Sequence, residues 1–300
     1  MAKVSKRGGF SDRNGIKTVN STIQLTSFDK RTRTQLQNML SSLYQEVYGD
    51  TFWSNENIQE FFRYVQGTVY AEPVDTRKMI NDDKIWSTIN HTIQNDDYDD
   101  VLTLVEAIIQ YWDEYMRRVW GYEYYNSYDN TYNDEPIYQI VNECLKREYV
   151  GYRFIDGQLT PISDDIEIET INQALGCAYE AVYIHLSKAN KLLSDRDTPD
   201  YENSIKESIS AVEALCEILT GIKGREATLG RMLKKLEDSD VEIHAGLKSA
   251  FNTLYGYTSD ANGIRHAGDI GGPASTFDEA KYMLISCSAF INYLIGVTAD

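Results

Sequence analysis

Asn262, Arg265 and His266 fall within one glycine-rich stretch, TSDANGIRHAGDIGGP at 258–273, flanked on both sides by helical patterns. An arginine can hold a phosphate through two parallel hydrogen bonds, and a histidine exchanges protons near neutral pH. Together they suit RNA cleavage without a metal, in which a 2′-hydroxyl attacks the adjacent phosphate and the imidazole serves as general base or acid. The glycines let the backbone approach a substrate closely. Neither a P-loop nor a dinucleotide fingerprint fits, because Gly263, Gly268, Gly271 and Gly272 have the wrong spacing and follow a helix, not a strand. The same residues also have structural uses: Arg265 can pair with Glu213 or Asp269, and His266 can be a hydrogen-bonded helix-end residue.

Such a loop needs a rigid scaffold, and the residues before it supply helical patterns. Thr198, Pro199 and Asp200 open a helix with Ile205, Ile209, Val212, Cys216 and Leu219 on its apolar face, and Gly221 ends it. Lys206, Ser210, Glu213 and Glu217 share the opposite, polar face, which is ordinarily a solvated one. If the loop packs across that face, Glu213 is the natural partner to orient Arg265 or His266. A short helix around Leu229, Met232, Leu233 and Leu236 follows, then one from Asp240 to Tyr257. Beyond the loop, Thr276 and Glu279 form a capping box for a last helix that buries Tyr282, Leu284, Ile285, Ala289 and Ile291 or their neighbours.

The first half is also mainly helical. Leu36, Met39, Leu40, Leu43 and Val47 define a first helix from Asp29; Asn55 caps a second and Asp75 a third that includes Met79, Ile80, Ile85, Trp86, Ile89 and Ile93. A long stripe from Val101 through Trp112 to Val119 follows the acidic run at 96–100. Residues 120–135 read as a tyrosine-rich connector that either covers helix ends or meets a partner. After a helix from Pro136, alternating residues around Asp156-Gly157 predict a hairpin with a type I′ turn. Ser163, Asp164 and Asp165 then begin one long helix with Ile168, Ile171, Leu175, Ala178, Val182 and Leu186 inward.

The composition, 42% hydrophobic over 300 residues, supports a sizeable core and excludes a wholly disordered chain. The net charge of −17 is uneven: residues 1–40 hold eight Lys/Arg against two Asp, or +6, leaving −23 for the rest. Residues 1–9 are expected to be a basic, flexible arm, solubilising or in contact with nucleic acid. Cys144, Cys177, Cys216 and Cys287 are far apart, each within an apolar helical pattern, and neither they nor His91, His185, His244 and His266 show metal-ligand spacing. No metal or cofactor is expected. Val101–Gln110 and Tyr282–Leu294 are interrupted by polar residues well short of the ~20 a bilayer span needs. With no signal-peptide core at the N-terminus, the expectation is a cytoplasmic protein without a membrane segment.

The opening FSDRNGIK at 10–17, the first helices and the closing GYRFIDGQLTPI at 151–162 resemble the N-terminal domain of AbiJ-type abortive-infection proteins over residues 10–165. Residues 166–300, notably SISAVEALC at 208–216, SDANGIRH at 259–266 and DEAKYMLIS at 278–286, are similar to the HEPN-like C-terminal domains found with it. The resemblance implies a mainly α fold, with a helical N-terminal domain closed by the hairpin and then a HEPN-like bundle. It further implies a homodimer pairing two Arg/His loops, acting as a ribonuclease that halts growth of a phage-infected cell, with Arg265, His266, Asn262 and Glu213 as site residues. Active HEPN nucleases separate their Arg and His by several residues, whereas Arg265 and His266 are adjacent. Two other readings stay open: a non-catalytic binding or dimerisation module for a nucleotide, nucleic acid or protein, and an acidic sensor of a phage protein.

Overall fold

The computed structural model describes residues 7, 9, 10, 14, 23–48, 55–126, 136–195, 198–224, 227–239, 241, 243–257 and 275–298, without the side chains of 55, 119–126, 136 and 257. It is mainly helical, with one two-stranded sheet among the described residues. The chain divides into two compact units, Met1–Ser163 and Asp164–Asp300.

In the first unit, α1 (Lys30–Tyr48), α2 (Asn55–Tyr64), α3 (Asp82–Asn95), α4 (Tyr98–Asn126) and α5 (Pro136–Arg147) surround one apolar core. The rows expected from periodicity face inward: Leu36, Leu40, Phe61, Phe62, Ile89, Ile93, Leu102, Val105 and Trp112 are all buried. Tyr44 packs edge-on against Trp86, and Phe61 packs on Trp112, so rings fill much of the space between α1, α2 and α4. After α2 the chain makes one π-helical turn, Val65–Val69, closed by Tyr70 N donating to Val65 O at 3.0 Å.

Two element boundaries differ from expectation. The third helix starts at Asp82, capped by Asn81, whose side chain accepts from Lys84 N. Asp75 instead binds Arg77 within a turn, and Met79 is exposed. Gln59 decides this, because its side-chain amide both accepts from and donates to the Ile80 backbone, holding that residue outside the helix. The tyrosine-rich connector, expected from residue 120, is helical as far as Asn126 in α4; 127–135 lie outside the described residues.

Strands β1 (Arg153–Ile155) and β2 (Gln158–Thr160) pair antiparallel, with Ile155 opposite Gln158. Asp156 and Gly157 both have positive φ, 49° and 73°, as the predicted turn requires. Two strands have two open edges, and helices close both with side chains. Asn142 of α5 accepts from Phe154 N at 2.7 Å and donates to its carbonyl at 3.0 Å, while Glu106 of α4 accepts from Leu159 N at 2.6 Å.

The second unit contains α6 (Asp165–Leu175), α7 (Glu180–Ser194), α8 (Tyr201–Thr220), α9 (Leu229–Glu237), α10 (Ala245–Tyr257) and α11 (Phe277–Thr298). The single long helix expected from Asp164 is two helices, broken at Gly176, and Ala178 is exposed rather than inward. A continuous rod cannot pack on itself, and the break lets α6 lie against both α7 and α11. Helix α10 begins at Ala245, five residues later than predicted, because Val241 N bonds Leu236 O and Ile243 is drawn into the core. The capping box forms as expected, with Thr276 and Glu279 bonded reciprocally. The buried face of α11 is turned from the expected one: Ala280, Met283, Leu284, Cys287, Phe290, Ile291 and Leu294 are inside, whereas Tyr282 and Ala289 are exposed. By length and composition alone α11 is apolar enough to cross a bilayer, but here it is a core helix packed on α6, α7 and α8.

Removing both backbone bonds of Asn142 leaves Phe154 unpaired where water is excluded. Asn142→Ala is expected to lower stability by about 1–3 kcal/mol. Urea unfolding followed by tryptophan fluorescence checks this for the first unit specifically, since Trp53, Trp86, Trp112 and Trp120 all precede residue 163; an unchanged midpoint would show that the edge bonds do not matter.

Candidate functional site

The polar centre of the first unit is Glu148, whose side chain is fully buried at the end of α5. Its carboxylate meets Arg31 at 2.8 Å, Arg147 at 3.1 Å and Arg7 at 3.4 Å. Arg7 also pairs with Asp29 and donates to Glu148 O at 2.5 Å. Arg7 therefore departs from the expected flexible basic arm: it is buried, and its charge is consumed inside the protein. Arg33 is likewise internal, donating to Ile93 O. Of the other basic residues in the N-terminal stretch, Lys3, Lys6, Arg13 and Lys17 lie outside the described residues.

Gln24 completes this clasp. Its backbone forms a parallel bridge to Val150, with bonds to Tyr149 O and from Gly151 N, and its side chain donates to Thr32 and Glu148 O. Gly151 makes room for the close approach, since a Cβ there would lie 2.4 Å from Leu25 Cδ2 and the half-exposed leucine would have to turn aside. The clasp therefore joins the N-terminal segment, α1 and the α5-to-hairpin junction.

Comparison with protein families matches residues 8–176 to the family described as AbiJ N-terminal domain 4. The chain belongs to that family. The match carries an abortive-infection, anti-phage role. No curated protein and no solved structure matches the chain. The AbiJ match covers the aromatic core, the hairpin and every clasp residue except Arg7, and it runs on through α6, which packs in the second unit.

Beyond the AbiJ match lie the four residues expected to do chemistry. Asn262, Arg265 and His266 are outside the described residues. Glu213 is on α8, where Tyr255 of α10 donates to its Oε1 at 2.7 Å. Tyr255 lies three residues before Thr258, so Glu213 is held by the helix that leads into the glycine-rich stretch. Lys206, Ser210, Glu213 and Glu217 are half-buried, not fully solvated as a bare polar face would be.

A second polar cluster had no visible sequence signal, because it is assembled across two helices. His185 Nδ1 of α7 lies 2.7 Å from Glu207 Oε2 of α8, and Lys188 pairs with the other carboxylate oxygen. Burial raises the Glu207 pKa, but hydrogen bonds from Lys188 and His185 and their charges outweigh it, leaving the carboxyl below its ordinary value. Among the described residues no group of three or more His, Cys, Asp or Glu could hold a metal. Burial raises the thiols of Cys144, Cys216 and Cys287, the latter two to about 12, so they are poor nucleophiles. Cys177, expected inside a helical pattern, instead sits half-buried in the turn between α6 and α7. An apolar groove of about 660 Å³ runs between α10 and α11, lined by Phe251, Leu254, Tyr282 and Met283 among others.

Because the folded-state pKa of Glu207 is depressed, its contribution to stability is full above the unfolded value near 4.5 and is lost as pH falls through the lower folded value. Glu207→Gln should therefore be less stable than wild type at pH 7, with the gap closing below about pH 4.5. Urea titrations read by helical circular dichroism test this; a gap independent of pH would remove the ionic explanation.

Likewise, Tyr255→Phe removes the bond to Glu213 and is expected to cost about 1–2 kcal/mol. The same titration at neutral pH reads it.

Proposed function

We propose that this AbiJ-family protein is an anti-phage effector whose second unit is a HEPN-like, metal-independent endoribonuclease. In this reading Arg265 binds phosphate, His266 transfers protons, Asn262 contacts the substrate, and Glu213 orients the Arg-His pair. The observation that supports the site is the Tyr255–Glu213 bond, which fixes a carboxylate beside the helix end from which the 258–273 stretch departs. The family match supports the defence role. The protein would act in the cytoplasm as a homodimer formed through the second unit, with a phage protein as trigger and RNA as substrate.

The adjacency of Arg265 and His266 and the acidic body favour one other reading. In it the second unit binds a nucleotide, nucleic acid or protein without cleaving.

The two separate in one experiment. Wild type and an Arg265→Ala/His266→Ala variant are incubated with total RNA and mixed tRNA in EDTA, and products are resolved on a denaturing gel. Wild type is expected to cleave and the variant to lose at least a hundredfold in rate, the order that removal of a general acid–base supplies. Glu213→Gln, which keeps the Tyr255 bond but removes the charge, should lower the rate by about tenfold if its carboxylate orients the pair. Absence of cleavage by folded wild type, with and without phage-infected lysate, would leave the binding reading.

A further inference from the structure

The family match runs to residue 176, and Gly176 is the residue that ends α6. Yet α6 packs in the second unit, against α7 and α11. Its sequence is therefore part of the AbiJ-type domain, while its packing is part of the neighbouring bundle. Four residues, 161–164, join β2 to α6, with no glycine among them. Pro161 has a ring-fixed φ, Ile162 is fully buried with its N–H on Thr160 O at 2.8 Å, and Asp164 caps α6 by accepting from Ile166 N and Glu167 N. A link of this kind absorbs less displacement than a glycine- or serine-rich one.

The two halves of α6 are held differently. Ile171, Ala174 and Leu175, all in the second half, are its buried side chains and account for its seat in the bundle. The first half buries none fully, and Ile166 there is 75% exposed. Polar groups tie it to α11 instead: Glu167 pairs with Lys281 at 2.6 Å, and Asn292 donates to Thr170 O at 2.9 Å. Glu167 is the node, since its N–H is held by Asp164 at the end of the link and its carboxylate by Lys281. Lys281 lies in the second turn of α11, just after the Thr276–Glu279 capping box and eight residues beyond Pro273, where the glycine-rich stretch ends. A partly exposed ion pair adds little to stability by itself, so what distinguishes this one is its place in the chain of bonds.

We propose that the Glu167–Lys281 ion pair is a regulatory relay, by which a change at the hairpin of the AbiJ-type unit reaches the start of α11. The route is contiguous, from β2 through the 161–164 link to Asp164, Glu167 and Lys281. This rests on the reading of the 258–273 stretch as the site, because α11 is the helix that follows that stretch in the chain. It deepens that reading by naming how the first unit governs the second. An ion pair suits the task, since a partly exposed one forms and breaks at small cost, whereas close-packed apolar side chains resist displacement.

The test uses the full chain and reads amide hydrogen exchange by mass spectrometry. Asn142→Ala, which frees one edge of the hairpin, is made in the wild-type and in the Lys281→Gln background. In the wild-type background it is expected to raise exchange in residues 165–170 and, by about twofold to fivefold, in residues 281–286, the most that a partly exposed ion pair transmits. With Lys281→Gln in place, the rise at 165–170 should remain and the rise at 281–286 should disappear. Glu167→Gln, which keeps the backbone bond to Asp164, should abolish the transfer in the same way, whereas Lys281→Arg, which keeps the charge, should preserve it. A rise at 281–286 that survives Lys281→Gln, or no rise there in either background, would overturn the relay. Cleavage is a separate readout: absence of RNA cleavage by wild type removes the ribonuclease reading, while the exchange result still decides the relay.

Discussion

A carboxylate withdrawn from water at the end of α5 governs the first unit. Glu148 has no solvent access, and a lone buried anion would carry a desolvation penalty of several kcal/mol. Arg7, Arg31 and Arg147 offset that penalty, and each arrives from a different part of the chain: the N-terminal segment, α1 and α5. Arg7 needs Glu148 in turn, because it is itself buried, whereas Arg147 keeps access to water. The peptide groups follow the charges, with Gln24 laid alongside Val150 and Gly151 leaving room for Leu25. The clasp fixes where the N-terminal segment ends up and how the chain leaves α5 for the hairpin.

The same economy appears in the hairpin. Three residues per strand are too few to be stable alone, and an exposed edge would invite pairing with another chain. Asn142 and Glu106 substitute for neighbouring strands, so the little sheet is an inlay between α4 and α5. Glu106 lies on a polar edge of α4 with Gln110, which binds Gly157 O, and Asp113, which binds Arg117 and Tyr138. One helix thereby combines an apolar face for the aromatic core with a polar edge that latches the hairpin and α5.

In the second unit the organising element is α11, an apolar helix surrounded by α6, α7 and α8. Its neighbours then carry charge in separate places: a carboxylate held by a tyrosine at Glu213 and an ion-paired carboxylate at Glu207.

Much of this was determined by the sequence alone. The 3.6-residue rows of Leu, Ile and Trp, the Asp156-Gly157 turn, the Gly221 stop and the Thr276–Glu279 capping box are local patterns, and each produced its element. The opening and closing strings of the first unit also carried the family. Only the tertiary structure decided what depends on residues distant in the chain. Asp75 is as good a cap as Asn81 by type, but Gln59, sixteen residues earlier than Asp75, holds Ile80 out of the helix. Periodicity ran through Gly176 because it does not register that α6 must turn to meet both α7 and α11. Arg7 read as part of a solvated arm because nothing near it in sequence reveals a buried carboxylate at position 148. His185 and Glu207 likewise met only when two helices packed, and Glu213 found Tyr255 across forty-two positions. Helix and turn preferences act over a few residues, whereas desolvated charge must be matched wherever in the chain its partner lies.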